Sequence, residues 1–404
     1  MTARQPGEPV VAAGGPDRAP DWAREALELV LARVAGTAAE VGTRFPLYAE
    51  PGDGRWTSTG RGSWTGGFWA GLLWLRARHT GRPADAAAAR AATARLAPWA
   101  AADTAARGLI LWYGTALAPA GDGPARALRE RAARAALADF DPELGAVPWG
   151  AALGGPRLLA RVDGVPGLVP LLASAGPAGA AAGAAHLARH LALCNPAGAE
   201  RPVPAWQFTT SGWCPLQEPA AGWARGEAWL LLALADASLR SVREGPTATG
   251  TDSRVEARTP VPVADREPDS PAACSPPALR AETERLLRHG PLLAGPPVPP
   301  ADAGRPDGPP DTSAAAIAAL ALLKLARVPG PRAREYRGRA EAVLHRLVSH
   351  HLTTGSDGRP PGMLLDGCYD AATGTAPRHE LVWGTFFLAL ALAVRTGLAD
   401  AAEA

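Results

Sequence analysis

Three aspartates and one arginine stand where helices are predicted to begin, and their side chains could bind or react with a polar ligand. They are Asp103, Asp163, Asp311 and Arg225. A carboxyl group can donate and accept a proton during a reaction, and a guanidinium can hold a carboxylate through two parallel hydrogen bonds. Each residue also has a structural interpretation, because aspartate is a favoured helix N-cap and the arginine could pair with a neighbouring carboxylate.

Tryptophan is the second unusual feature, since the chain has 13 Trp but only 6 Phe and 4 Tyr. Five tryptophans lie near the starts of three predicted helices, where their flat faces could hold sugar rings or could simply fill the core. They are Trp64, Trp69, Trp223, Trp229 and Trp383. The sequence therefore predicts aromatic walls beside the charged residues.

The elements that must position these residues are helical. A helical spacing of apolar residues recurs from end to end and predicts twelve helices, whereas no convincing alternating strand series is present. The predicted helices span 21–40, 66–79, 84–100, 104–118, 124–138, 162–175, 177–193, 222–241, 277–290, 312–327, 331–351 and 380–397. The fold class is therefore all-α.

Twelve helices without strands fit either an open solenoid of helix pairs or a closed toroid of six helical hairpins, the (α/α)6 fold. A solenoid should show a fixed repeat of roughly 30–45 residues, and the sequence has none. The unequal loops also favour the toroid. In a toroid, alternate helices form the inner ring and run the same way, so their N-termini meet at one mouth. Helix N-termini gathered there would attract an anionic ligand.

Composition excludes several classes of protein. The 41 Lys+Arg against 39 Asp+Glu give a net charge of +2, too balanced for a nucleic-acid binder or a protein of anionic membranes. No uncharged apolar run reaches about 18 residues, so no membrane span is predicted. The N-terminus has no apolar signal-peptide segment, and four widely separated cysteines are typical of free thiols. These features predict a cytoplasmic location.

Metal binding is not expected either. His186 and His190 have the i, i+4 spacing of some zinc sites but lack the glutamate of an HExxH motif. We interpret them as a surface pair on an outer helix. The four cysteines show no CxxC spacing, which a structural zinc site would normally use.

The chain is predicted to form one toroid domain over 21–404, preceded by a disordered tail over 1–20. One internal stretch, 243–276, is polar and Pro-rich and lacks a helical period. Such a segment has too few apolar groups to offset the entropy of ordering it. It is therefore predicted to be a disordered insertion on the surface of the domain.

The most specific motif in the chain is Trp223-Ala-Arg-Gly-Glu-Ala-Trp229. Three others accompany it, namely Trp64-Thr-Gly-Gly-Phe-Trp69, Asp311-Thr-Ser-Ala-Ala-Ala-Ile317 and Trp383-Gly384. Together they resemble the unsaturated glucuronyl hydrolases, glycoside hydrolase family 88, and the related unsaturated rhamnogalacturonyl hydrolases. The family's form of the first motif is Trp-Ala-Arg-Gly-Gln-Ala-Trp. The resemblance runs patchily through 64–392 and implies the same six-hairpin toroid.

The resemblance implies an enzyme that removes a terminal uronic acid with a C4–C5 double bond from an oligosaccharide. Asp163 matches the family's general acid/base, and Asp103 matches the aspartate that would orient it and stabilise a developing cation. The substrate-binding residues implied are Arg225, Trp229, Trp64, Trp69, Trp223 and Trp383. Arg225 would bind a substrate carboxylate and Trp229 would stack on the sugar. No metal or organic cofactor is implied.

The implied chemistry is hydration of an enol ether rather than displacement at C1. A carboxylic acid protonates C4, water adds at C5, and the resulting hemiketal opens and expels the aglycone. The acid must give a proton and then take one from water. We expect burial at a mouth lined by tryptophan to raise the pKa of Asp163 and keep the group protonated near neutral pH.

The sequence also departs from the family's pattern. The family has a His before its first aspartate and a Gly-Phe soon after it, whereas Asp103 is flanked by Ala102 and Ala105. Thr385 stands where the family has an acidic residue, and 202–207 does not match its loop rich in Gly, Ser and His. The alternatives are a catalytically degenerate carbohydrate-binding protein, a hydrolase of the same fold acting on another glycan, or a helical scaffold for protein partners.

Overall fold

The computed structural model describes residues 20–244 and 274–404, and helices dominate both parts. The helices are α1 (Asp21–Val41), α2 (Gly66–Thr80), α3 (Pro83–Arg95), α4 (Gly123–Ala138), α5 (Leu168–Ala173), α6 (Pro177–Cys194), α7 (Ala224–Glu244), α8 (Pro276–His289), α9 (Pro291–Ala294), α10 (Thr312–Leu325), α11 (Ala333–His350) and α12 (Val382–Thr396). The predicted tail over 1–20 lies outside the described residues apart from Pro20. So does most of the predicted insertion over 243–276, whose two flanks belong to α7 and α8.

The helices form a closed ring with two layers. In the inner layer α2, a single π-helical turn (Gly108–Trp112), α5, α7, α10 and α12 contact one another in that order, and α12 packs back against α2. The outer layer consists of α1, α3, α4, α6, α8 and α11, each packed on an inner element. This is the all-α toroid of six hairpins that the sequence predicts.

Hydrophobic patterning explains the two layers. Every residue of α10 is buried, and so are the first twelve residues of α12, Val382–Ala393, which makes both helices apolar on all sides. In α11 only five of 18 residues are buried. A helix that is apolar all round must be covered on all sides, whereas an amphipathic helix can leave one face to water.

The predicted helix over 104–118 is mostly turns, and only Gly108–Trp112 is helical. The helical part lies in close backbone contact with α5, because a Cβ placed on Gly108 would lie 2.1 Å from the backbone nitrogen of Leu168. A side chain at this position would push α5 out of the inner ring. The glycine therefore serves packing between two backbones rather than helix formation.

The predicted helix over 162–175 is divided into a 3-10 turn, Val162–Gly164, and the short helix α5. Pro166 has no N–H to donate, and Gly167 has a φ of +70°, in the left-handed region that favours glycine. These two residues interrupt the helical hydrogen bonds. Asp163 is consequently placed on a separate turn in front of α5.

Six short strands, which the sequence analysis did not predict, form two antiparallel sheets. They are β1 (Phe45–Ala49), β2 (Trp56–Thr59), β3 (Leu159–Arg161), β4 (Ala205–Thr209), β5 (Gly212–Pro215) and β6 (Glu380–Leu381). One sheet has the order β2-β1-β6 and the other β3-β4-β5. Strands of two to five residues are too short to show a clear alternation. Since β6 runs directly into α12 and β3 into the turn of Asp163, both sheets lie at N-terminal ends of inner elements.

The structure bears on two further predictions, which concern membrane-spanning helices and the cysteine thiols. Within 20–244 and 274–404, no helix is both long enough and apolar enough to cross a membrane. The four cysteines, Cys194, Cys214, Cys274 and Cys368, are free thiols as predicted.

Candidate active site

Asp163 lies on the turn between β3 and α5, where Arg161 holds its carboxylate. Arg161 donates from Nε to Oδ1 and from Nη2 to Oδ2, both at 3.1 Å. Its guanidinium also lies over the Trp149 ring, 4.8 Å from the centroid. The charge of Asp163 raises the pKa of Arg161, against the opposing effect of burial. The N-cap of α5 is Gly167, so the interpretation of Asp163 as a helix cap does not apply.

Asp103 lies on the turn before Gly108–Trp112 and is held by the segment that follows α4. Its Oδ2 accepts hydrogen bonds from the Ala151 amide at 3.1 Å and from Arg157 Nε at 3.0 Å. Its side chain is 39% exposed, which leaves it accessible to a ligand. The nearest helical residues start at Gly108, so the capping interpretation fails here as well.

One stretch of chain, 149–161, forms hydrogen bonds with both aspartates. Asp103 is bonded to residues within this stretch, and Asp163 is bonded to Arg161 at its end. The two turns also pack together, since a Cβ placed on Gly164 would lie 3.1 Å from the Ala105 Cβ. The predicted catalytic pair is therefore brought to the same side of the ring.

A buried histidine pair supports the Asp163 turn from behind. Nδ1 of His186 accepts a hydrogen bond from the Val147 amide at 3.1 Å, and its Nε2 lies 3.2 Å from the Gly164 carbonyl oxygen. This pattern requires a neutral ring protonated on Nε2, and burial lowers the pKa of His186 well below its usual value. His190 is also buried, with its ring centroid 4.2 Å away. The prediction of a surface pair is wrong, because this face of α6 packs against α5.

Arg225 is buried at the start of α7, and most of its hydrogen-bonding capacity is used inside the protein. Nη1 donates to Asp311 Oδ2 at 2.6 Å and to the Cys368 carbonyl at 2.5 Å, and Nη2 donates to the Tyr369 carbonyl at 2.7 Å. The structural alternative, pairing with a neighbouring carboxylate, is therefore what the structure contains. Contact of Arg225 with a substrate carboxylate stays a prediction.

An aromatic wall surrounds this guanidinium. The rings of Trp223 and Trp383 lie 5.0 and 5.4 Å from Arg225 Cζ. Trp64 lies 4.8 Å from Trp383 between centroids and donates from Nε1 to the Tyr369 hydroxyl at 3.3 Å. Trp64, Trp223 and Tyr369 are half-buried, whereas Trp383 is fully buried. Three partly exposed rings are thus available to a ligand.

Trp69 and Trp229 lie in the core beneath this wall. Trp229 is fully buried, stacks on Phe68 with centroids 6.3 Å apart, and meets Phe387 edge-on at 5.3 Å. Trp69 is 3% exposed. A buried ring cannot offer its face to a sugar without rearrangement, so the core interpretation applies to both residues in this conformation. Both rings belong to the hydrophobic core of the ring of helices.

Asp311 is the aspartate to which capping does apply. Its Oδ1 accepts the Ser313 amide at 3.0 Å as the N-cap of α10, while its Oδ2 pairs with Arg225. The residue is fully buried. The Asp311 carboxylate therefore caps the start of α10 and also holds Arg225 at the start of α7.

A buried carboxylate also lies beside Thr385, the position where the resemblance implies an acidic residue. The Thr385 hydroxyl donates to Glu380 Oε1 at 3.3 Å, and Arg33 Nη2 donates to Glu380 Oε2 at 2.9 Å. Burial raises the pKa of Glu380 to about 7, with Arg33 acting against it. A buried carboxylate thus lies five residues before Thr385, at the first residue of β6.

Sequence reasoning missed four residues that the structure places at this site. They are Trp149, Arg157, Arg161 and Tyr369. The arginines carry no distinguishing signal, since the chain's basic residues are almost all arginine. Arg161 ends β3, and Asp163 lies on the 3-10 turn that follows, so no strand or helix period in the sequence links the two side chains.

Four cavities in the described part of the chain are lined by none of the site residues predicted from the sequence. Among the described residues, no group of three or more His, Cys, Asp or Glu side chains could hold a metal ion. A cavity of about 260 Å³ lies toward the C-terminal ends of the inner helices, lined in part by Trp112, Asp236 and Lys324. None of the site residues predicted from the sequence lines it, so we assign it no part in the site.

Comparisons with known proteins bear on the fold. No protein-family model matches the sequence, and no curated protein matches it. Solved structures do match. The unsaturated glucuronyl hydrolase of Bacillus sp. GL1, responsible for glycosaminoglycan degradation, is 21% identical with a TM-score of 0.73, covering 92% of this chain and 96% of that one. An unsaturated glucuronyl hydrolase specific for heparin is 20% identical with a TM-score of 0.72, covering 93% and 97%.

A third structure is a variant of the Streptococcus agalactiae unsaturated glucuronyl hydrolase complexed with dGlcA-GalNAc6S. It is 16% identical with a TM-score of 0.64, and the match covers 95% of this chain and 94% of that one. All three matches extend over nearly the whole of both chains, so the likeness includes every hairpin of the ring. This chain therefore has the fold of the unsaturated glucuronyl hydrolases.

Proposed function

We propose that this protein is a glycoside hydrolase-like enzyme that removes a terminal 4,5-unsaturated uronic acid from lyase-generated oligosaccharides. The observation that carries the proposal is the placement of Asp103 and Asp163 on two packed turns, in a chain with the unsaturated glucuronyl hydrolase fold. The half-buried rings of Trp64, Trp223 and Tyr369 would offer a sugar flat apolar surfaces. One similar structure holds dGlcA-GalNAc6S, and we infer a saccharide ligand for this chain as well.

Asp163 is the proposed general acid. Its protonated carboxyl delivers a proton to C4, and positive charge develops at C5 and the ring oxygen. Water forms a bond to C5 and returns its proton to the Asp163 carboxylate, while Asp103 orients the group and stabilises the cation. The hemiketal opens to a ketone at C5, and C1 then expels the aglycone as an alcohol. No step requires a metal or an organic cofactor, so a chelator should leave turnover unchanged.

A binding protein without catalysis is the second candidate, and a specific observation favours it. Each aspartate is already held by an arginine, Asp103 by Arg157 and Asp163 by Arg161. Both oxygens of the Asp163 carboxylate accept hydrogen bonds from Arg161, so neither is free to carry a proton toward a ligand in this arrangement. In an enzyme, at least the pair of Asp163 must be rearranged when substrate binds.

The test is to incubate the protein with unsaturated disaccharides and follow the ultraviolet band of the conjugated alkene. Loss of absorbance with release of the second sugar would support the enzyme. Binding detected by calorimetry with an unchanged band would favour the binding protein, and neither result with unsaturated sugars would point to another glycan. The cytoplasmic location stays a prediction.

A further inference from the structure

Three arginines lie in the region of the proposed site. Arg157 pairs with Asp103, and the other two differ in what they can still bind. Arg225 is 6% exposed at its side chain and donates to Asp311 and to two backbone carbonyls. The Arg161 side chain is 25% exposed, and within 20–244 and 274–404 its guanidinium donates hydrogen bonds to Asp163 alone. A bidentate contact with an incoming anion would disrupt several buried bonds of Arg225 but only one ion pair of Arg161.

The chemistry of the proposed substrate decides where its carboxylate must be bound. The carboxylate carbon and C4 are both bonded to C5, so the group that protonates C4 must lie next to the group that holds the carboxylate. Arg161 touches the proposed proton donor, Asp163, through two hydrogen bonds. The Trp149 ring lies against the guanidinium at 4.8 Å and would keep its plane in place through a cation–π contact.

We propose that Arg161 binds the carboxylate of the substrate and that this exchange makes Asp163 a proton donor. This inference rests on the proposed function. In the free protein the Asp163 carboxylate occupies the Arg161 fork, and the substrate carboxylate takes over one or both of those hydrogen bonds. Two carboxylates then share one guanidinium, and like charges at short range favour protonation of one of them. Asp163 takes a proton from solvent and passes it to C4, so the substrate's own charge prepares the acid.

The inference separates two effects of the carboxylate, on binding and on chemistry. A substrate whose carboxylate is a methyl ester has no charge to displace Asp163 from Arg161. Such an ester should therefore bind more weakly and also react more slowly once bound. A carboxylate that served binding alone would change KM and leave kcat unaltered.

The experiment compares an unsaturated uronyl disaccharide with its methyl ester in the wild type and in Arg161→Gln, Arg161→Lys and Arg225→Gln. We expect the wild type to prefer the acid by roughly tenfold to a hundredfold in kcat/KM, the range of a hydrogen bond to a charged group, with part of the change in kcat. Arg161→Gln should lose the preference, and Arg161→Lys should keep part of it because the charge remains but the fork does not. Arg225→Gln should keep the ratio, whatever its stability.

Because the ratio is taken within each variant, a loss of folded protein does not affect it. A ratio preserved in Arg161→Gln, or lost in Arg225→Gln alone, would overturn the inference while the proposed function stands. Equal turnover of acid and ester by the wild type would overturn it too. A wild type that turns over neither compound would overturn the proposed function and this inference with it.

Discussion

Arg225 and Asp311 form a buried ion pair, with Nη1 2.6 Å from Oδ2, that joins the start of α7 to the N-cap of α10. Removing one partner would leave a buried charge unpaired, at a cost of about 3–5 kcal/mol. We expect Asp311→Asn to lower the free energy of unfolding on that scale, although Asn caps helices about as well as Asp. Urea unfolding measures the change.

The matched control is Asp122→Asn at the N-cap of α4, where the partner Arg90 is 54% exposed. Because solvent screens that pair, the control should lose less than about 1 kcal/mol. Similar losses in both variants would show that capping, rather than the buried charge of Arg225, explains the role of Asp311.

Glu227 should make stability depend on pH. Burial raises its pKa to about 7, with Arg201 acting against it, and its Oε2 has no hydrogen-bond partner among the described residues. The folded-state pKa of Glu227 lies above its unfolded value. The contribution of Glu227 to the free energy of unfolding is therefore fully present below the unfolded pKa and is lost as pH rises through about 7.

The pKa of Glu227 rises from 4.5 to about 7, and one pKa unit corresponds to about 1.4 kcal/mol. We therefore expect Glu227→Gln to be more stable than the wild type at about pH 8, by roughly 3–4 kcal/mol, and to lose this advantage near pH 5. Gln is also the residue of the family's motif at this place. Glu380 has a similar pKa but is present in both proteins, so the difference between them isolates Glu227. A difference independent of pH would contradict the assignment.

Truncation of Trp229 should mainly lower stability, whereas truncation of Trp64 should mainly weaken substrate binding. Trp229 is fully buried against Phe68, so Trp229→Ala should cost about 3–5 kcal/mol of stability, as large core truncations do. Trp64 is half-buried at the mouth, so Trp64→Ala should cost less stability and should raise KM. Thermal unfolding and KM for the unsaturated disaccharide check both expectations. A normal KM in Trp64→Ala would remove the ring from the proposed sugar-binding wall.

The parts of the structure that local patterning controls are the parts the sequence predicts. Helices such as α10 and α12 are long and apolar on every side, so their period and their inner position are both visible in the sequence. The turn of Asp163 is less visible, because Pro166 and Gly167 divide a segment whose apolar spacing alone suggests one helix. The motifs are enough to propose Asp103 and Asp163 as a catalytic pair, but they do not reveal the partners of these aspartates.

Those partners depend on contacts between distant segments. Arg161 lies in a strand that exists only because β4, more than 40 residues later, pairs with it. His186 is buried because α6 packs its histidine face on the turn of Gly164, 22 residues earlier. Spacing along the chain carries no record of such pairings, so a buried histidine and an exposed one look alike in the sequence.

Asp163→Asn tests the central claim most directly. Asn still fits the turn but cannot deliver a proton to carbon, so turnover of an unsaturated uronide should fall at least about 100-fold, the lower end of general acid–base contributions. Asp85→Asn is the control, because Asp85 and Arg76 form a similarly half-buried pair at the outer helix α3. We predict that both variants stay folded with similar melting temperatures and that only Asp163→Asn loses turnover. Full turnover in a well-folded Asp163→Asn variant would contradict the account.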